Sequence, residues 1–127
     1  MSATLAAQVF TTLMFIVVLF QLALALGAPW GSIAMGGRYP GKFPPPMRIA
    51  AVVQAFILAV FAFVVVVRGQ MIASNFYDLS TIAIWVVVVL MAISLVMQLI
   101  TPSKWERIIW APTVAVLFLT SLIVALS

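Results

Sequence analysis

Four long runs of mainly apolar residues dominate the hydropathy pattern of this 127-residue chain. They cover residues 5–26, 47–67, 81–100 and 108–126. Each run is close to the ~20 residues that a helix needs to cross a hydrocarbon core of ~30 Å. None shows the period-two alternation of barrel strands, and a chain in lipid must satisfy its own backbone groups. The runs therefore predict transmembrane α-helices.

The predicted fold is all-α, a four-helix transmembrane bundle that forms one membrane domain over residues 1–127. We expect helices at about 5–26, 47–67, 81–100 and 103–126, with a Gly/Pro-rich loop at 27–46. A fourth helix that started at Pro112 would be too short to span the membrane. It is expected to begin near Ser103 and to kink near Pro112, because proline cannot donate the interior hydrogen bond.

The first run is expected to be a retained helix and not a cleaved signal peptide. No lysine or arginine precedes it, and its apolar stretch is longer than that of a usual signal peptide. Composition agrees with a membrane protein, because 67% of the residues are hydrophobic and only 6% are charged, against roughly 25% charged residues in soluble domains. The chain has neither histidine nor cysteine, so no metal site, cofactor or catalytic residue is predicted.

The basic residues predict an orientation. The first and third connections carry five of them against one in the second connection, which also holds Asp78. By the positive-inside rule, the first and third connections are cytoplasmic and both termini lie outside. The basic residues of the first connection are Arg38, Lys42 and Arg48, and those of the third are Lys104 and Arg107. The basic residue of the second connection is Arg68.

The connection at 27–46 is the first candidate for a functional segment. It holds five of the six glycines and five of the seven prolines, and long ordered loops are often functional. Its aromatic and basic side chains are the candidates within it. They are Trp30, Arg38, Tyr39 and Lys42.

Polar side chains within the runs form a second candidate, a layer in the cytoplasmic half of the bundle. Unpaired amides in hydrocarbon cost several kcal/mol, so we expect these groups to point inward and find partners. They are either interhelical hydrogen-bonding groups or a polar pocket roofed by the Gly/Pro loop. The layer comprises Gln21, Gln54, Ser94, Gln98 and Thr113.

Both acids are predicted to stabilise helix starts. Asp78 or Ser80 is expected to be the N-cap of the third helix, because both residue types are good N-caps. Ser103-Lys104-Trp105-Glu106 fits a capping box, in which the serine hydroxyl and the glutamate carboxylate each accept from the backbone of the first turn. This capping role accounts for Glu106 without a catalytic function.

The segments around the first and third connections are Gly27-Ala28-Pro29-Trp30-Gly31, Gly36-Gly37-Arg38-Tyr39-Pro40-Gly41, and Thr101-Pro102-Ser103 through Glu106-Arg107 and Trp110-Ala111-Pro112. They resemble the loop sequences of a group of small bacterial four-helix integral membrane proteins. That group is uncharacterised, so the resemblance implies no activity, substrate or cofactor. It does imply the bacterial cytoplasmic membrane.

These observations predict a non-catalytic structural or accessory subunit, since buried ionisable groups usually mark ion pathways and proton relays in membranes. The alternative is a small transporter or channel for a neutral or amphipathic solute that uses the glutamine layer. An enzyme is disfavoured. The expected partners are the lipid bilayer and either another membrane protein or further copies of the chain, with no nucleic acid.

Overall fold

The computed structural model describes residues 2–34, 37–71 and 75–127. Within them it has four long α-helices: α1 (Ala3–Ala25), α2 (Pro45–Arg68), α3 (Tyr77–Ile100) and α4 (Lys104–Leu126). All four are long and apolar enough to cross a membrane. The prediction of an all-α four-helix bundle is confirmed, and the chain is a multi-pass integral membrane protein.

The helices form a closed ring in which each packs on its neighbour in sequence and α4 returns to α1. One end of the ring, which we call the terminal end, brings together the start of α1, the second connection and the end of α4. There Thr4 Oγ1 donates to the Gly69 carbonyl at 3.5 Å. The opposite, loop end joins the first and third connections, where Ser103 Oγ donates to the Ser32 carbonyl at 2.7 Å.

The centre of the bundle is apolar. Phe10 and Met14 of α1 have no exposed surface, and neither do Val65 of α2 and Ile84 of α3. Large apolar side chains also lie on the outer surface of every helix, as expected where the surrounding lipid is as apolar as leucine. The full buried cluster is Ala6, Ala7, Phe10, Met14, Leu58, Val65, Ile84, Val87, Val88, Met91, Leu117, Val124 and Ala125.

The start of α3 differs from the prediction. The helix begins at Tyr77 with Phe76 as its N-cap, and no side chain caps it. The prediction that Asp78 or Ser80 is the cap is therefore wrong, because both residues already lie inside the first turn. Asp78 still has a favourable position, since a carboxylate near a helix N-terminus interacts well with the helix dipole.

Helix α4 is continuous from Lys104 through Pro112. Proline has no N–H, so the carbonyl of Ile108 lacks its usual intrahelical donor. One residue further along, Thr113 Oγ1 donates to the Ile109 carbonyl at 2.9 Å. This hydroxyl bonds the carbonyl one residue after Ile108, so it does not replace the donor that the proline removes.

Candidate functional site

The described residues of the first connection form a compact structure over the loop end of the bundle. We call its described residues, 27–34 and 37–44, the loop cap. Gly27 ends α1 with a φ of +101°, which lets the Ala28 amide return to the Ala23 carbonyl at 2.9 Å. Further on, the Gly31 amide donates to the Gly41 carbonyl at 2.9 Å. The two halves of the cap are thus joined through their backbones.

Apolar side chains lie beneath the loop cap. Phe43 and Ala34 of the cap are buried against Leu24 of α1 and Ala51 of α2. Tyr39 packs edge-on against Phe43, with ring centroids 6.0 Å apart. The prediction of a polar pocket roofed by this loop is not supported, because the side chains packed under it form a small hydrophobic core of their own.

Aromatic residues attach the loop cap to α1 and α4. The indole Nε1 of Trp110 donates to the Ile33 carbonyl at 2.9 Å. The Phe20 ring lies 4.7 Å from Trp110 and stacks on Trp30 at 6.1 Å, measured between centroids. A buried indole N–H needs such a partner, so this contact ties the cap to the fourth helix.

The start of α4 forms the other attachment. Ser103 is the N-cap and accepts from the Glu106 amide at 3.3 Å. The carboxylate half differs from the predicted box: the Thr101 hydroxyl donates to Glu106 Oε2 at 3.1 Å, and the Ser103 amide donates to Thr101 Oγ1 at 3.4 Å. Glu106 is only 5% exposed, so this carboxylate is part of the structure that holds the third connection.

The four candidate loop residues divide into two kinds. Trp30 and Tyr39 make the ring contacts of the cap, whereas Arg38 and Lys42 are exposed. Arg48, which contributes to the predicted orientation only through its charge, has a larger structural role in the folded chain. Arg48 donates from Nε to the Phe43 carbonyl at 2.8 Å, and its guanidinium lies beside Gly27 at the C-terminus of α1, where a cation is favourable.

The predicted polar layer does not form a network. Gln21, Ser94, Gln98 and Thr113 are half-buried, and no hydrogen bond of the described residues joins two members of the layer. Gln98 Oε1 is buried without a partner, and so is Thr11 Oγ1 on α1.

The prediction that Gln54 points inward is wrong, because it is exposed. It precedes the buried Ala55 by one residue, a rotation of about 100° on the helix. Gln54 is the tenth residue of the 24 in α2, so it lies about 14 Å from the start of a helix about 36 Å long. The amide is therefore on the outer surface near the middle of the membrane span.

No group of three or more metal-ligating side chains occurs in the part of the chain that the structure describes. Comparisons with protein-family models, curated proteins and solved structures find no match for this chain.

Proposed function

We propose that this protein is a non-catalytic accessory subunit that binds another integral membrane protein through the outer face of α2 at Gln54. The exposed amide near the middle of this span carries the proposal. An amide transferred into hydrocarbon without a hydrogen-bond partner costs several kcal/mol. A neighbouring transmembrane helix with a polar side chain removes that cost, and the lipid chains cannot.

The residues beside Gln54 suit helix packing. Ala50 and Ile57 share its face, one turn to either side, and Ile57 is 40% exposed. The small Ala50 side chain lets a second helix approach closely, as small residues do at membrane helix interfaces. A hydrogen bond across such an interface contributes roughly 0.6 to 2 kcal/mol.

The two acids support a non-catalytic role. Asp78 is exposed at the terminal end and Glu106 is buried at the loop end. Helices of 23 and 24 residues separate the two ends by about 35 Å. The carboxylates therefore cannot act on one substrate as an acid and base pair.

For the location, we infer the bacterial cytoplasmic membrane with both termini outside. The loop sequences support the first part, and the excess of basic residues in the first and third connections supports the second. These two connections lie at the same end of the bundle, so their basic residues favour the same side of the membrane.

A Gln54→Leu substitution tests the proposal. We expect the amount of partner that co-purifies from native membranes to fall about 3- to 30-fold, the equivalent of one interhelical hydrogen bond. Val53→Leu is the matched control, because Val53 is exposed on a different side of α2 and the change adds no polar group.

A photo-crosslinking residue at position 57 identifies what lies against this face, and one at Phe56 reports the far side of α2. We expect a product from position 57 alone, lost when Gln54→Leu is added, and its mass distinguishes another protein from a second copy. Purification of the chain alone, with no crosslink from position 57, would contradict the proposal.

The alternative of a small transporter has one supporting observation, the unpartnered buried oxygens of Thr11 and Gln98. Gln98 lies at the loop end of α3, whereas Thr11 lies about 12 Å along α1 from the terminal end. Apolar Met14 and Met91 are buried between them. If the two oxygens line a path for a neutral solute, flux into liposomes should fall severalfold in Gln98→Leu and stay unchanged in Val96→Leu. Flux equal to that of empty liposomes would remove this alternative.

A further inference from the structure

The terminal end of the bundle holds a second polar cluster, around a depression of about 250 Å³. The wall combines backbone and side-chain groups from the start of α1, the end of α2 and the connection after it, the start of α3 and the residue that follows α4. The lining residues are Ala3, Thr4, Arg68, Gly69, Gln70, Tyr77 and Ser127. Asp78, the nearest acid in the sequence, is exposed and lies outside this lining, so the charge of the wall side chains is positive.

Arg68 is the main charged group of the depression, and few of its donors are used. One terminal nitrogen donates to the main-chain oxygen of Ser127, which orients the guanidinium. Its carbon lies 5.9 Å from the centroid of the Tyr77 ring, within the range of a cation–π contact. The Nε atom is buried without a hydrogen-bond partner, and a guanidinium has five N–H donors in all.

The neighbouring groups are also donors. Gln70 Nε2 donates to the Tyr77 hydroxyl at 3.3 Å, which leaves the hydroxyl hydrogen available to a further acceptor. Gln70 has a φ of +60°, a left-handed conformation that glycine usually adopts at a helix end. A glutamine there incurs a conformational cost and directs its amide towards Tyr77.

The N-terminus of α1 adds backbone donors to the same wall. Ala3 and Thr4 are the first two residues of that helix, so their amides have no acceptor inside it. The first turn of α1 contains no acidic residue, and the helix dipole at this end favours an anion. The Arg68 guanidinium, the Tyr77 hydroxyl and the N-terminus of α1 thus present donors to one depression.

We propose that this depression binds a phosphate group, held by Arg68 and Tyr77 beside the N-terminus of α1. Phosphate fits because its oxygens accept several hydrogen bonds at once and because arginine binds it through two parallel N–H groups. The depression lies at the ends of membrane spans, which is the depth of phospholipid headgroups. The phosphate is that of a headgroup or a free ion in solution.

The test uses the full chain in detergent, stripped of lipid, with two matched probes. Dioctanoyl phosphatidylglycerol carries the phosphate, and dioctanoylglycerol lacks it. At constant ionic strength, we expect native mass spectrometry to show the first bound and the second not. Arg68→Gln should weaken binding about tenfold or more, the contribution of a hydrogen bond to a charged group.

Two further variants make the result specific. Lys104→Gln removes the same charge from an exposed site at the loop end and should leave the affinity within about twofold, as expected for a distant, screened charge. Tyr77→Phe keeps the ring beside Arg68 and removes one donor, so it should weaken binding about two- to tenfold. This variant also tests the site if Arg68→Gln does not fold.

Inorganic phosphate separates the two sources. If inorganic phosphate displaces the lipid, and if this displacement requires Arg68, the site also binds the free ion. If inorganic phosphate does not displace the lipid, the site is specific for a phospholipid headgroup. Equal binding of the two dioctanoyl probes, or equal effects of Arg68→Gln and Lys104→Gln, would overturn the proposal.

Discussion

Replacing Gly31 by alanine is expected to disrupt the loop cap and to lower the free energy of unfolding by about 3 kcal/mol, the upper part of the range for overpacking. A Cβ atom on Gly31 would lie 1.7 Å from the Tyr39 carbonyl oxygen and 2.7 Å from that of Gly41. Both are backbone atoms, so no rotamer change relieves the clash. The hydrogen bond from the Gly31 amide to Gly41 would be lost with it.

The effect of Gly31→Ala can be measured by equilibrium unfolding in mixed micelles of a denaturing detergent, together with the rate of trypsin cleavage after Lys42. Gly41→Ala is the matched control. Gly41 has a φ of +79° but no atom within 4 Å of the added Cβ, so only conformational strain of roughly 1 to 2 kcal/mol is expected. Equal losses in the two variants would show that the close backbone contact is not what requires glycine at position 31.

The four helices could be predicted from the sequence because two strong constraints coincide. A run must be long enough to span the membrane, and its backbone must be satisfied within the run. Neither constraint depends on what the helix packs against. The interior of the loop cap does depend on such contacts. Glycine and proline mark this segment as a loop, but they do not predict that Phe43 is buried against Leu24, 19 residues earlier in the sequence.

The inward face of each helix was harder to predict. Ala51, Ala55, Ala59 and Ala62 read as one stripe of small residues on α2. However, each step of four residues rotates by about 40° beyond a full turn. After two steps Ala59 is exposed, and Leu58 takes the buried position instead. The same dependence on neighbouring helices left Gln54 outside the bundle, against the rule that polar groups point inward.

The two predicted caps illustrate local and distant signals. Ser103 caps α4 by accepting from the amide of Glu106, three residues later, so its N-cap role could be predicted from the local sequence. Asp78 is not the cap because α3 starts earlier, at Tyr77, which contacts Arg68 at the end of α2 and Gln70 two residues beyond it. These contacts are also why the terminal-end depression was missed. Tyr77 is separated from Arg68 and Gln70 by a connection whose course the sequence does not specify.

Substitution of Gly69 is expected to have the second large effect on stability, at the opposite end of the bundle from Gly31. In Gly69→Ala the new Cβ would lie 2.6 Å from the Cβ of Ala7 and 3.1 Å from the Val65 carbonyl oxygen. Ala7 has no exposed surface and no rotamer to change, so α1 must move away from α2. We expect a loss of about 2 kcal/mol, within the usual range for overpacking, measured by the same detergent unfolding.

The compensating change Ala7→Gly tests whether that methyl contact is the cause. Alone it should cost about 1 kcal/mol, because glycine is unfavourable inside a helix. Combined with Gly69→Ala it removes the clash, so the double variant should be more stable than the sum of the single losses predicts, by about 1 to 2 kcal/mol. Additive losses would mean that α1 and α2 are not held at this distance by the Ala7–Gly69 contact. A positive coupling would show that these two residues set the close approach of the helices beside Thr4 and Arg68, and therefore the shape of the depression at the terminal end.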